Sequence, residues 1–157
     1  MKWRGSTSLQ ERVFACLPYL LPLLDGLAFG RFLFRLFPPL ELILIPLAPL
    51  LLIYSFPLAS LIIFFALFLL VVRNENISHF IRFNTMQAIL VDIVLFLFQL
   101  ILRILASVVS AGFLLETFSN FVFIGVVAVF VYSVVQSLRG RYAEIPTLSE
   151  AVYMQVR

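Results

Sequence analysis

The sequence predicts an all-α integral membrane protein: four transmembrane helices preceded by an N-terminal amphipathic, proline-interrupted helical segment. Three observations carry this. Of 157 residues, 63% are hydrophobic and 12% charged, whereas soluble domains are about 25% charged. The apolar residues fall in blocks that approach or exceed the roughly 20 residues a helix needs to cross a bilayer. The blocks also lack the alternation of a half-buried strand, and lipid admits only helices or closed barrels.

Lys2, Arg4 and Arg12 precede the first apolar run, the outline of a secretory signal. Pro18, Pro22 and Asp25 interrupt that run and no small-residue cleavage pattern comes after it, so a membrane domain is expected to begin almost at once. Ser8 and Glu11 have the spacing of a capping box. The helix they open carries Val13, Leu17, Leu20, Leu21 and Leu24 on one broad face, with Pro18 and Pro22 expected to bend or break it. Gly26 and Gly30 are expected to loosen the next stretch, and Arg31 and Arg35 share a helix face. Residues 9–37 are therefore read as an interfacial segment whose arginines reach toward headgroups.

Pro38 and Pro39 punctuate the chain, and residues 40–54 form an apolar block that holds Pro46 and Pro49 and is short for a span. Tyr54-Ser55-Phe56-Pro57 reads as a tight turn, after which residues 58–72 return and stop at Arg73, giving a transmembrane hairpin. Residues 83–105 form the third span, about 34 Å long at 1.5 Å per residue. The fourth covers residues 118–138 and exits at Arg139-Gly140-Arg141, leaving residues 139–157 as a mostly polar, inside-facing tail. The whole chain, 1–157, reads as one membrane domain.

This layout places ten basic residues on one side and Arg103 on the other, so the positive-inside tendency puts both termini on the cytoplasmic or stromal side. A second layout spans residues 13–30 and treats 40–72 as one bent passage. It moves Arg31 and Arg35 outside, a balance of eight against three.

The densest polar chemistry runs from Arg73 to Asp92. On the third helix Asn84, Asp92, Gln99 and Arg103 fall within an arc of about 100°. With Gln87 they form a polar helix face that either lines a path or groove, or acts as glue between helices. As glue, Asp92 would pair with Arg103 or with hydroxyls of the fourth helix, which offers Asn120, Tyr132, Ser133, Gln136 and Ser137, although Asp92 and Arg103, about three turns apart, are too far for a direct pair within one helix. Candidate loop and interface residues are Asp25, Arg73, Asn74, His79 and Arg82. Asp25 is an interfacial helix breaker or part of a polar vestibule, and His79 a pH-sensing or merely solvated loop residue.

One cysteine and one histidine allow no internal disulfide and no zinc or haem cluster, so no metal or cofactor is expected. The net charge of +3 is small and sided, giving nucleic acid little to bind. No Ser-His-Asp set, paired-carboxylate motif, H-E-x-x-H or Gly-rich phosphate loop is present, so no enzyme is expected.

The run Ile81-Arg82-Phe83-Asn84-Thr85-Met86-Gln87-Ala88-Ile89-Leu90-Val91-Asp92-Ile93 resembles the 20-kilodalton subunit family of the chloroplast inner-envelope protein translocon, the Tic complex, which includes cyanobacterial members. Leu17-Pro18-Tyr19-Leu20-Leu21-Pro22 with Asp25 and Gly26, the Val71-Val72-Arg73-Asn74 exit, and Gln136-Ser137 through Gly140, Tyr142-Ala143-Glu144-Ile145-Pro146 and Ala151-Val152-Tyr153 extend the likeness across nearly the whole chain. The resemblance implies four membrane helices, both termini stromal or cytoplasmic, and a subunit of a preprotein-conducting translocon. Its expected partners are the lipid bilayer, other translocon subunits or further copies of itself, and precursor polypeptides. The short stretch before the shared region suggests a cyanobacterial or plastid-encoded member or a trimmed chain, in a cyanobacterial plasma or thylakoid membrane or the plastid inner envelope. The alternatives are a non-conducting scaffold or assembly factor and a small-solute or ion transporter; for the last, the two halves of the chain show no internal repeat.

Overall fold

A computed structural model describes residues 6–157, all of whose regular elements are helical. The basic residues Lys2 and Arg4, counted above for sidedness, lie outside the described residues.

Helix α1 runs from Leu9 to Leu36, 28 residues long and apolar enough to cross a membrane. The capping box forms as the sequence predicts: Glu11 N–H donates to Ser8 Oγ at 3.2 Å and Ser8 N–H to Glu11 Oε2 at 2.7 Å. Pro18 and Pro22 do not break the helix. Pro18 sits in a 3-10 stretch, Leu17–Tyr19, whose tighter winding accommodates the missing N–H, and the helix resumes at Leu20. Gly26 and Gly30 do not loosen it either. A Cβ on Gly26 would meet Val126 Cγ1 at 2.7 Å, and one on Gly30 would meet the Phe123 ring at 2.8 Å, so these glycines let two backbones approach closely.

A 3-10 stretch, Pro38–Leu44, leads to α2, Ala48–Tyr54. At seven residues α2 is about 10 Å long, a third of a hydrocarbon core. Helix α3, Ala59–Val72, lies at an angle of 100° to α2. The turn expected at residues 54–57 is present, with Ser55 Oγ donating to Leu52 O at 2.6 Å, and Leu58 beyond it adopts φ 64°. The last turn of α3, Phe68–Val72, widens to π geometry, closed by Arg73 N–H donating to Phe68 O at 3.1 Å. The expected hairpin of two spans is thus a short arm and a longer one, sharply bent against each other.

Helices α4, His79–Val108, and α5, Gly112–Leu138, are both long and apolar enough to cross a membrane. The end of α5 is a Schellman motif: Arg141 N–H donates to Gln136 O and Gly140 N–H to Ser137 O, each at 2.9 Å, with Gly140 at φ 71°. The tail is docked rather than loose. It forms α6, Leu148–Gln155, which buries Val152 completely.

Two apolar clusters stack along the bundle. One joins α1, α4 and α5 through Leu23, Phe29, Leu95, Val122, Phe123 and Val126. The other joins the end of α3, the start of α4 and the tail through Val72, Phe83, Met86, Ile89, Val152 and Val156. Helix α1 is parallel to α4, because Tyr19 meets Asn84 and Arg31 shares a cavity with Arg103. Helix α5 is antiparallel to α1, because Arg12 reaches Leu138 O while Gly26 meets Val126. The geometry therefore puts Arg31 at the Arg103 end of the bundle, away from Arg12, His79 and Leu138. Among the described residues this moves Arg31 and Arg35 to the Arg103 end, as in the second layout, and leaves Arg12, Arg73, Arg82, Arg139, Arg141 and Arg157 at the other. The physical reason is the continuity of α1 through its prolines, which carries Arg31 a full helix length from Arg12.

Candidate functional site

The polar face of α4 divides into three parts along the helix axis. Asn84 and Gln87, within the first three turns of α4, are wholly buried. Tyr19 Oη donates to Asn84 Oδ1 at 2.9 Å, Ser137 Oγ donates to the same oxygen at 3.1 Å, and Asn84 Nδ2 donates to Phe80 O at 2.8 Å. Gln87 Nε2 donates to Tyr19 Oη at 3.0 Å and to the Ala143 carbonyl, while its Oε1 accepts from Ser149 Oγ at 2.8 Å. Ser149 Oγ in turn accepts from Ile145 N–H at 2.6 Å. One closed network thus ties α1, α4, α5 and the tail together, and every polar atom of the two amides is used.

Asp92 lies farther along, half-buried, beside Asp25 of α1. With Ser60 and Gln99 they line a small cavity of about 100 Å³. Ser60 Oγ on α3 donates to Asp25 Oδ2 at 2.6 Å, whereas Asp92 Oδ1 is buried without a hydrogen bond among the described residues. Under the glue reading, hydroxyls of the last span are expected beside Asp92; the neighbours found come instead from α1 and α3. Of the five polar residues expected as partners, Ser137 alone hydrogen-bonds to the α4 face among the described residues. Tyr132 instead donates to Glu144 O at 2.9 Å, in the tail segment.

At the far end Arg103 lines a second cavity, of about 260 Å³, with Arg31, Gln99 and Ser119. Gln99 borders both cavities, so the polar groups from Asp25 to Arg103 run in one line between α1 and α4.

The loop candidates belong to the opposite end. His79 is half-buried and begins α4 rather than lying in a loop; its Nδ1 is 2.9 Å from Tyr142 Oη and its Nε2 3.3 Å from Val156 O. Its ring also stacks on Tyr153, 6.5 Å between centroids at 12°. Arg82 donates through Nε to Val72 O at 2.9 Å and through Nη1 to Arg157 O at 3.2 Å, clamping the α3 end and the tail. Asn74 Oδ1 accepts from Asn76 N–H at 3.0 Å, an Asx turn that shapes the connection, and the Arg73 side chain is exposed. Sequence reasoning missed Tyr19, Ser60 and Ser149. Tyr19 was hidden in a segment read as interfacial, and Ser149 in a tail read as mostly polar and inside-facing.

Residues 8–152 match the family model described as the chloroplast import apparatus, Tic20-like. The chain belongs to the Tic20 family. This Tic20-family protein is 53% identical over 150 residues to a Tic20 family protein of Synechocystis sp., covering 94% of each chain. It is 40% identical over 154 residues to protein TIC 20-II, chloroplastic, of Arabidopsis thaliana, covering 96% of this chain and 74% of the relative. It is also 34% identical over 159 residues to the Tic20 family protein Ycf60 of Porphyra purpurea, with coverages of 97% and 78%. The names of these relatives point to a component of an import apparatus rather than to an enzyme.

Proposed function

We propose that the chain is a membrane subunit of a protein-translocation assembly, contributing one polar helix seam to a path completed by further copies or other subunits. The observation that carries this is the seam itself: Asp25, Ser60, Asp92 and Gln99 meet at membrane depth in a family associated with protein import. Polar groups there are costly and are held for a use. The seam is divided by function. The closed Tyr19-Asn84-Gln87 network holds the bundle together, and the stretch from Asp92 to Gln99 is the part that meets translocating chain.

Four passages support the membrane layout: α1, the bent α2–α3 pair, α4 and α5. Under the positive-inside tendency, the end bearing Arg12, Arg73, Arg82, Arg139, Arg141 and both termini faces the cytoplasm or stroma. The membrane is a cyanobacterial plasma or thylakoid membrane or a plastid inner envelope. Photo-crosslinkers at Gln99 and Gln87, with a precursor arrested in transit, test this reading. Adducts at 99 and none at 87 are expected; none at either position in an assembly that still translocates would overturn it. A scaffold without a path is the second reading, favoured by the full satisfaction of Asn84 and Gln87, and it predicts that second result.

A further inference from the structure

Arg31 and Arg103 stand at the end of the bundle away from most basic residues, against the usual distribution of arginine in membrane proteins. Neither makes a hydrogen bond or ion pair among the described residues. They converge with Gln99 and Ser119 on the cavity of about 260 Å³ between α1, α4 and α5. Ser119 is 1% exposed, and its Oγ has no hydrogen-bond partner among the described residues. The buried Ser119 hydroxyl is costly unless something supplies it a partner, and the exposed Arg31 and Arg103 flank the same cavity with their charges unpaired. The start of α5 lies near this cavity and has no side-chain cap, so its positive end adds to the same field.

We infer that Arg31, Arg103, Gln99 and Ser119 form a binding site for one oxyanion, the phosphate of an anionic lipid headgroup or a free phosphate. Two guanidinium groups match a phosphate in shape and charge, Gln99 Nε2 and Ser119 Oγ offer two further donors, and no carboxylate lines the cavity to compete. The rest of the lining is apolar, with Phe29, Phe32, Leu102 and Leu115 in position to meet the chains of a lipid whose headgroup is held.

Native mass spectrometry of the purified full-length chain, titrated with phosphatidylglycerol, with phosphatidylcholine as the zwitterionic control, tests this. Wild type should retain one phosphatidylglycerol in preference to phosphatidylcholine. Loss of charge-assisted hydrogen bonds should weaken R31Q/R103Q about tenfold or more, and S119A should weaken retention several-fold with both charges kept. R31K/R103K should fall between, since lysine keeps the charge and loses the planar fork. Displacement of the lipid by millimolar inorganic phosphate would support the site with a free oxyanion as its source, and lack of displacement would support the lipid headgroup. Equal retention of the two lipids by wild type would overturn the inference. So would wild-type retention by R31Q/R103Q with unchanged circular dichroism and elution; should that variant misfold, full retention by S119A overturns it.

Discussion

Replacing Gln87 by leucine separates a binding role for the inner polar residues from a transport role. The substitution nearly conserves volume but removes three hydrogen bonds, to Tyr19, Ala143 and Ser149. Tyr19 keeps its bond to Asn84, and Ser149 still accepts from Ile145. The groups left wanting are the Ala143 carbonyl and the Ser149 hydroxyl proton. Orphaning a buried polar group costs about 1–3 kcal/mol, and interhelical hydrogen bonds in membranes average about 0.6 with a maximum near 1.7 kcal/mol. The net loss should therefore be about 2–4 kcal/mol, a fall in Tm on the order of 5–15 °C for a chain of this size. The loss is localised, because the severed bonds hold the tail. Limited proteolysis should accordingly cut Gln87→Leu between residues 139 and 157 at protease levels that spare the wild type. Thermal unfolding in detergent and the cleavage map together decide the matter. Unchanged Tm and unchanged tail protection would refute the reasoning and return Gln87 to the translocation path.

Gly26→Ala should cost about 1–3 kcal/mol by overpacking, because its methyl meets the buried Val126 at 2.7 Å, whereas Gly125→Ala meets nothing within 4 Å and should gain up to about 1 kcal/mol of helix propensity. Parallel melting curves that rank these two the other way would contradict the close α1–α5 approach. Leu58→Gly should be stabilising by about 0.5–1 kcal/mol, since relief of the left-handed backbone outweighs glycine's added entropy and the side chain is 69% exposed at φ 64°. A lower Tm would show that the leucine packs more than its exposure implies. In a Cys16→Ser background, Arg35→Cys should react with an impermeant maleimide from the same side as Arg103→Cys and from the side opposite Asn74→Cys. Labelling of position 35 together with 74 would restore the interfacial assignment of residues 9–37.

Local rules made several elements legible. The capping box at Ser8 and Glu11, the turn after Tyr54, the long α4 and the exit at Arg139-Gly140-Arg141 all stem from spacing and residue type within one turn. The course of α1 was not legible. Pro18 and Pro22 are breakers by local propensity, and only packing of both against other elements, each buried, holds the helix straight enough to continue. That single difference moved Arg31 and Arg35 to the other end and hid Asp25 as the neighbour of Asp92. The polar arc of α4 could be drawn from 100° per residue alone. Its division into a closed network and a half-open seam could not, because Tyr19, Ser60 and Ser149 reach it from distant segments and carry no periodic signal. The tail did hold a hint: Val152 and Val156, four apart, are both buried against Val72 and Phe83.

The network around Gln87 also orders biosynthesis in time. Tyr19 and Gln87 leave the ribosome well before Ser149, so a nascent chain that has inserted α1, α4 and α5 still presents an unanswered amide where the tail belongs. Until the last helix arrives, the bundle lacks the bonds from Gln87 to Ala143 and Ser149. Closure of the bundle therefore follows insertion of its spans, an order set by where Ser149 falls in the chain.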